Sequence, residues 1–295
     1  MSTATGLTEA WELYSSTILS SSSRRSIVSE TGRWNNHLAP YLENRPISSL
    51  TSLEVLKIKS ELLKRKLSPQ TVQHCLSLLR RVLHRMKAWG LYDGAIPKFE
   101  MPRFDNQRLR FLAPVEVTQL LAYLRYRHPI WFDISIIALF TGLRASEIFK
   151  LTSADIQLEM EYLIVLSSKN ATNRVVPLNR YSKEVLTRNV NPSSPSAPVF
   201  HQTSRKIFSR AVEACGFNNG VVDRRLRVVF HTLRHTFASW LVQAGIPLAL
   251  VGQLLGHKNL QMTMRYSHLA PDQGKNAVDL LSNIDIGLSS RSNYN

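Results

Sequence analysis

Apolar residues in the first third of the chain recur at helical intervals, without the strict alternation of strands. Thr51 and Glu54 have the spacing of a capping box, just ahead of an apolar-periodic run at Leu53, Leu56, Ile58, Leu62 and Leu63. Ser68 and Pro69 supply an N-cap and a first-turn proline. The helix they open carries Val72, Leu76, Leu79, Val82, Leu83, Met86 and Trp89 at its apolar positions, and Gly90 can close it. The whole region from about Leu7 to Phe99 therefore reads as helical.

Pro97 to Arg110 breaks this pattern: its two prolines disfavour helix, and it reads as a basic linker. A second region begins near Phe111. Pro114 sits at a first helical position ahead of Leu120, Leu121 and Leu124, and a buried helix over Ile130–Phe140 leads to Thr141-Gly142. That break re-aims the chain into another helix carrying Arg144. Two β-branched runs, Tyr162–Leu166 and Arg174–Leu178, flank S-S-K-N-A-T-N and predict a hairpin. A Pro/Ser loop over Asn191–Pro198 precedes renewed helix from about Ser204 to Leu269. A short apolar pattern at Val278, Leu281 and Ile284 ends in a polar tail. The expected fold is mainly α with a small β-sheet (α+β). The expected divisions are a helical domain over 1–98, a linker over 99–110, a second domain over 111–272 and a C-terminal segment over 273–295.

Charge then narrows the partner. Lys and Arg number 37 against 21 Asp and Glu, a formal net charge of +16, and such an excess favours a polyanion. Between residues 57 and 87 stand Lys57, Lys59, Lys64, Arg65, Lys66, Arg80, Arg81, Arg85 and Lys87, with Glu61 the only acid. Two adjacent helices biased the same way point to phosphate contacts rather than to one solvated face. Cys75 and Cys215 stand far apart, which excludes a cysteine-rich zinc module and argues against a disulfide scaffold. The N-terminus lacks the pattern of a signal peptide, and Ile130–Leu143 is too short to span a bilayer and is interrupted by Asp133. The expectation is a cytoplasmic, nucleoid-associated protein without a membrane partner.

Six residues carry candidate chemistry: Arg144, Lys169, His231, Arg234, His257 and Tyr266. Cutting a DNA strand without metal needs a nucleophile at phosphorus, cations for the non-bridging oxygens and an acid for the leaving 5′ oxygen. Arg144 and Arg234 suit the second task, since a guanidinium stays charged and can bond two phosphate oxygens. His257 can add a hydrogen bond, and Lys169, on a hairpin loop, can swing over the phosphate as the acid. Tyr266 must lose its proton to attack, either to His231 or under the field of the two arginines. His231 and His235 are also four apart, a spacing used for zinc, but H-T-L-R-H lacks the glutamate of H-E-x-x-H and Arg234 would repel a cation. His235 reads as structural or secondary. No cofactor is called for, and no phosphate-cradling G-x-x-x-x-G-K-[ST] is present.

The neighbourhoods of these residues read T-G-L-R-A-S-E-I, S-S-K-N-A-T-N-R-V-V-P-L, H-T-L-R-H-T-F, L-L-G-H-K-N and M-R-Y-S-H-L. In that order they resemble the tyrosine recombinase (phage-type integrase) family over Arg110 to about Leu269. The resemblance assigns the six residues the same roles, with Tyr266 as nucleophile, and makes Glu147 a supporting acid that orients Arg144. It implies a SAM-like helical core-DNA-binding domain that closes with the catalytic domain as a clamp round duplex DNA. It further implies specific core sites and a tetramer on DNA, and leaves open accessory DNA-bending proteins. The function so implied is site-specific recombination, as in integration, through a 3′-phosphotyrosyl intermediate. The rival readings are a type IB topoisomerase-like enzyme and a non-catalytic DNA-binding regulator. Ala113 departs from the family, which often has a capping Ser or Thr there. The length is expected to leave little room for the N-terminal arm-site domain of many phage integrases, and Val278–Ile284 is expected to dock onto a neighbouring protomer.

Overall fold

The computed structural model describes residues 6–105, 110–166, 173–201, 203–204, 206–271, 274 and 278–279. The chain divides into two units, Met1–Asn106 and Gln107–Asn295, each built on its own apolar core.

In the first unit α1 (Leu7–Tyr14) continues into a wide helical turn, Ser15–Leu19. Then α2 (Arg24–Arg33) runs through a second wide turn, Trp34–Leu38, into α3 (Ala39–Leu42). Two longer helices follow, α4 (Ser52–Lys64) and α5 (Pro69–Ala88). Both start where side-chain oxygens satisfy free amides: Thr51 Oγ1 accepts the Glu54 N–H at 3.3 Å and Ser68 Oγ accepts that of Thr71 at 3.2 Å. Each such cap stabilises its helix by about 1 kcal/mol. Helix α5 buries Val72, Leu76, Leu79, Val82, Leu83 and Met86, packing on α1 and α4, while Trp11 stacks on Trp34 at 4.7 Å.

Two expectations need correction here. In α4 the buried residues are Val55, Ile58 and Leu62, whereas Leu53, Leu56 and Leu63 are exposed. The helix carries two apolar stripes, roughly a third of a turn apart, and only one of them meets α5. Nor is the unit helical throughout: residues 43–46 and 89–99 contain no helix, and Lys66 at φ 59° ends α4 in a left-handed turn. Residues 97–105 form neither helix nor strand.

The second unit opens with α6 (Pro114–Arg127) and α7 (Pro129–Thr141). Ala113 offers no side-chain cap, and the Glu116 carboxylate accepts its N–H instead, at 2.8 Å. Helix α7 is the centre of the core, with Trp131, Ile134, Ile137 and Leu139 buried, although Ile130 at its start is exposed. Asp133 is tolerated in this apolar helix because Arg188 and Asn189 both bond its carboxylate. After α8 (Ala145–Ile148) come β1 (Ile156–Gln157), β2 (Tyr162–Val165) and β3 (Arg174–Pro177). They form an antiparallel sheet in that order, with Leu163 opposite Val176. The hairpin matches the sequence reading; the two-residue β1 is too short to leave a pattern. Helices α9 (Arg180–Asn189), α10 (Lys206–Ala214), α11 (Phe230–Gln243), α12 (Leu248–Leu255) and α13 (Gln261–Met264) follow, then a 3₁₀ turn, Ser267–Leu269. Residues 215–229 interrupt this helical run, held by the Asn218 amide, which bonds both the N–H and the C=O of Val228. The fold is mostly helical with a small antiparallel sheet. Among the described residues no helix is long and apolar enough to cross a membrane.

Candidate active site

The site is assembled where α7, β3, α11 and α12 end or begin. Helix α7 stops at Gly142, whose φ of 65° suits glycine, and a Cβ there would lie 2.5 Å from the Phe237 ring. Arg144 follows as the extended residue preceding α8 rather than as a helical one. Glu147, in the first turn of α8, accepts both the Arg144 N–H (2.8 Å) and its Nη1 (2.9 Å). The same carboxylate takes a second guanidinium end-on: Arg174 Nη1 and Nη2 donate to Oε1 and Oε2 at 3.1 and 2.9 Å. Arg234 Nη1 stands 3.9 Å from Oε2. Burial alone would raise the Glu147 pKa, but hydrogen bonds from Arg174 and from the Arg144 amide, with both positive charges, hold it down at about 2. Glu147 is thus the shared counter-ion of the site.

Arg234 is 3% exposed, and α11 aims it at main-chain carbonyls, Nη1 to Gly142 O at 2.7 Å and Nη2 to Leu255 O at 2.6 Å. Burial and then the neighbouring Arg144 press its pKa down to about 9, which still leaves it cationic at neutral pH. Arg174 Nε reaches Leu254 O at 2.9 Å. Leu254 and Leu255 close α12, where carbonyls lack helical partners and carry the negative end of the helix dipole. Two guanidiniums therefore fix that end, and Gly256 (φ 65°) turns the chain from it into His257. A Cβ on Gly256 would lie 2.7 Å from Arg174 Nη1, so this glycine is needed for space as well as for conformation. His257 Nδ1 pairs with Thr263 Oγ1 at 2.8 Å. Burial, then Arg234 and Arg144, lower its pKa to about 4, so it is a neutral imidazole near pH 7. When the threonine donates, the ring hydrogen lies on Nε2, free to be offered to a phosphate oxygen.

Tyr266 sits between α13 and the 3₁₀ turn, 6% exposed and packed with Ala238, Val242, Val251 and Leu255. Burial raises its pKa, while Arg265 and Arg234 act to lower it. Its hydroxyl lies 2.6 Å from His235 Nδ1, and the His231 ring stands edge-on to that of His235 at 4.8 Å between centroids. The residue in hydrogen-bond reach of the phenol is therefore His235, which the sequence reading treated as structural or secondary. Four residues apart on α11, the two histidines share a face, and only the packing of the 3₁₀ turn decides between them. Arg174 was also not singled out. Its signal was present as the arginine of R-V-V-P-L, but its partners lie 27 and 80 residues away.

Lys169 lies outside the described residues. Of the other candidates, Arg144, Arg234, His257 and Tyr266 share one electrostatic neighbourhood with Glu147 and Arg174. In the first unit Lys57, Lys64, Arg65, Lys66, Arg80, Arg81, Arg85 and Lys87 are exposed and Lys59 is partly so. Arg80, Arg81 and Arg85 line a groove with Tyr14, Ser26 and Glu30, and Lys59 lies in another with Lys98 and Arg103. Among the described residues no three His, Cys, Asp or Glu converge as a metal cage. Chemically, the second unit offers fixed cations and a neutral imidazole for a phosphodiester, with a buried phenol in the same field.

The family model described as the phage integrase family matches residues 110–273. The integrase of Salmonella phage P22 is 30% identical over 215 residues, a stretch covering 67% of this chain and 53% of that protein. The tyrosine recombinase XerD of Lacticaseibacillus casei is 30% identical over 224 residues, 69% of this chain and 73% of the relative. The chain thus spans about half the length of the phage protein. In fold it is similar to the Tn1549 transposon integrase solved with circular-intermediate DNA, at 17% identity and a TM-score of 0.76 over 95% of this chain and 100% of that one.

Proposed function

Because the chain belongs to the phage integrase family, we propose that it is a site-specific DNA recombinase whose nucleophile is Tyr266. The phenolic oxygen forms a bond to phosphorus, the P–O5′ bond breaks, and the strand is left as a 3′-phosphotyrosyl ester. A 5′-hydroxyl from another strand then reverses the sequence, so the phosphodiester energy is conserved and no nucleotide is consumed. The observation that carries this reading is the clustering of Arg144, Arg234, His257 and Tyr266 from four separate segments into one charge field. Arg144 and Arg234 neutralise the non-bridging oxygens, His257 donates a further hydrogen bond, and Lys169 protonates the leaving oxygen.

The substrate is duplex DNA with specific core sites, gripped by the second unit and by the basic helices α4 and α5 closing round it as a clamp. Exchange between two duplexes needs an active protomer for each strand, hence a tetramer on DNA, with the Val278–Ile284 segment as its docking element. Such a protein works in the cytoplasm on the nucleoid, with or without DNA-bending partners.

The test uses nicked suicide duplexes from the gene's flanking DNA, without metal. Wild type should form a denaturation-resistant adduct and Tyr266→Phe should bind without forming one. Binding by both with no adduct would favour a DNA-binding regulator, and relaxation of supercoiled DNA without a defined site would favour a topoisomerase-like enzyme.

A further inference from the structure

Resting on the tyrosine-mediated cleavage proposed above, we infer that His235 is the base of the reaction, taking the Tyr266 proton through Nδ1 and returning it when the strand is rejoined. The contact is short, 2.6 Å, and both side chains are buried, at 5% and 6% exposure, so bulk water does not compete for the proton. Arg234 and Arg265 favour the phenolate by their charge, but a guanidinium cannot accept a proton. Proximity thus singles out the imidazole. It must carry its hydrogen on Nε2, so that the phenol donates to the Nδ1 lone pair.

The surroundings suit a base that works only with substrate in place. On α11 itself His231 and Arg234 flank it, and Arg265 and His268 lie on the segment that carries Tyr266. Helix α7, packed on α11, holds one charged residue, Asp133, which is engaged by Arg188 and Asn189. Helices α12 and α13 carry none. The charges so placed are cationic, apart from the engaged Asp133. A bound phosphodiester adds negative charge and makes the imidazolium affordable as it forms. The step balances: the Tyr266 O–H bond breaks toward Nδ1, O–P forms, P–O5′ breaks, and the 5′ oxygen takes a proton from the acid. On rejoining, the imidazolium returns its proton to the departing phenolate, as microscopic reversibility requires.

His235→Asn places an amide near the Nδ1 position, keeping a hydrogen bond to the phenol while removing the basic nitrogen. Single-turnover adduct formation is measured for wild type and variant on saturating suicide duplex, with a normal 5′ leaving group and with a 5′-bridging phosphorothiolate, whose sulfur needs no acid. We expect adduct formation by the variant to be about 10²-fold slower on both substrates, with unchanged DNA binding and thermal unfolding. The acid limb of the wild-type rate–pH profile should be missing in the variant. An unchanged rate overturns the inference, and so does a faster one, which would make the contact a latch. Rescue by the phosphorothiolate would also overturn it, placing His235 on the leaving-group side. Should the variant unfold, the wild-type profile decides alone: absence of an acid limb on the phosphorothiolate overturns the inference. Wild type forming no adduct at all would defeat the recombinase reading itself, a separate result.

Discussion

In the first unit the cations stand in water: α4 and α5 expose their lysines and arginines, and Lys57, Lys64 and Arg81 meet Glu54, Glu61 and Glu30 from the solvent side. In the second unit the Arg174 and Arg234 side chains are 11% and 4% exposed, and carbonyl oxygens and one carboxylate hold them. The contrast separates two uses of positive charge. Solvated pairs are worth about 0–1 kcal/mol and are screened by salt. A buried pair that loses one partner costs about 3–5 kcal/mol, because the other charge is left uncompensated. The first arrangement suits long-range attraction of a polyanion; the second holds its guanidiniums in fixed positions.

The largest effect is expected at Glu147. Glu147→Ala should destabilise the second unit by about 3–5 kcal/mol and abolish adduct formation. The pH dependence follows from the depressed pKa. Glu147 is held at about 2 against an ordinary 4.5, so its contribution is complete above about 4.5 and is lost as pH falls toward 2. That contribution is about 3 kcal/mol. Denaturant unfolding of wild type and Glu147→Gln between pH 7 and pH 3 checks this: the variant should lack that part of the acid-induced loss. Parallel curves would mean that Glu147 is not the shared counter-ion.

A smaller effect is expected at Gly256, and it has two parts. Gly256→Ala carries the strain of a left-handed conformation, about 1 kcal/mol, and pushes a methyl into the Arg174 guanidinium. We expect a loss of about 1–3 kcal/mol in unfolding free energy. Arg174→Met should remove the second part, so the double variant should lose less than the sum of the singles. Strict additivity would show that the two residues do not press on one another.

These two sites also show what the sequence can and cannot reveal. Caps and long-period apolar runs act through near neighbours, so α5 could be read from Ser68, Pro69 and the spacing of Val72 to Met86. The hairpin could be read from two β-branched runs. The residue types of the cluster were legible through the motifs, but their contacts were not. Which of two α4 stripes is buried depends on where α5 lies. Which of His231 and His235 meets the phenol depends on a turn more than thirty residues away. That Arg174 braces α12 and Glu147 together follows from folding β3 against both, and no local spacing encodes it.

The smallest stability effect is expected in the first unit, where the functional readout should instead be large. Arg80 and Arg85 are exposed on α5 and line the same groove. Arg81, beside them, is already engaged by Glu30 at 2.9 Å. Arg80→Ala/Arg85→Ala should change unfolding free energy by no more than about 0.5 kcal/mol, since neither side chain is buried. If both contact phosphates, the slope of log binding constant against log salt should become less negative by about 2, since each contact contributes about 0.9. Arg81→Ala alone should alter the slope less, because releasing Glu30 adds an unpaired acid to the groove. An unchanged slope would remove α5 from the DNA-contact surface. A loss of several kcal/mol in stability would break the comparison itself, since these arginines would then be structural in the manner of Arg174.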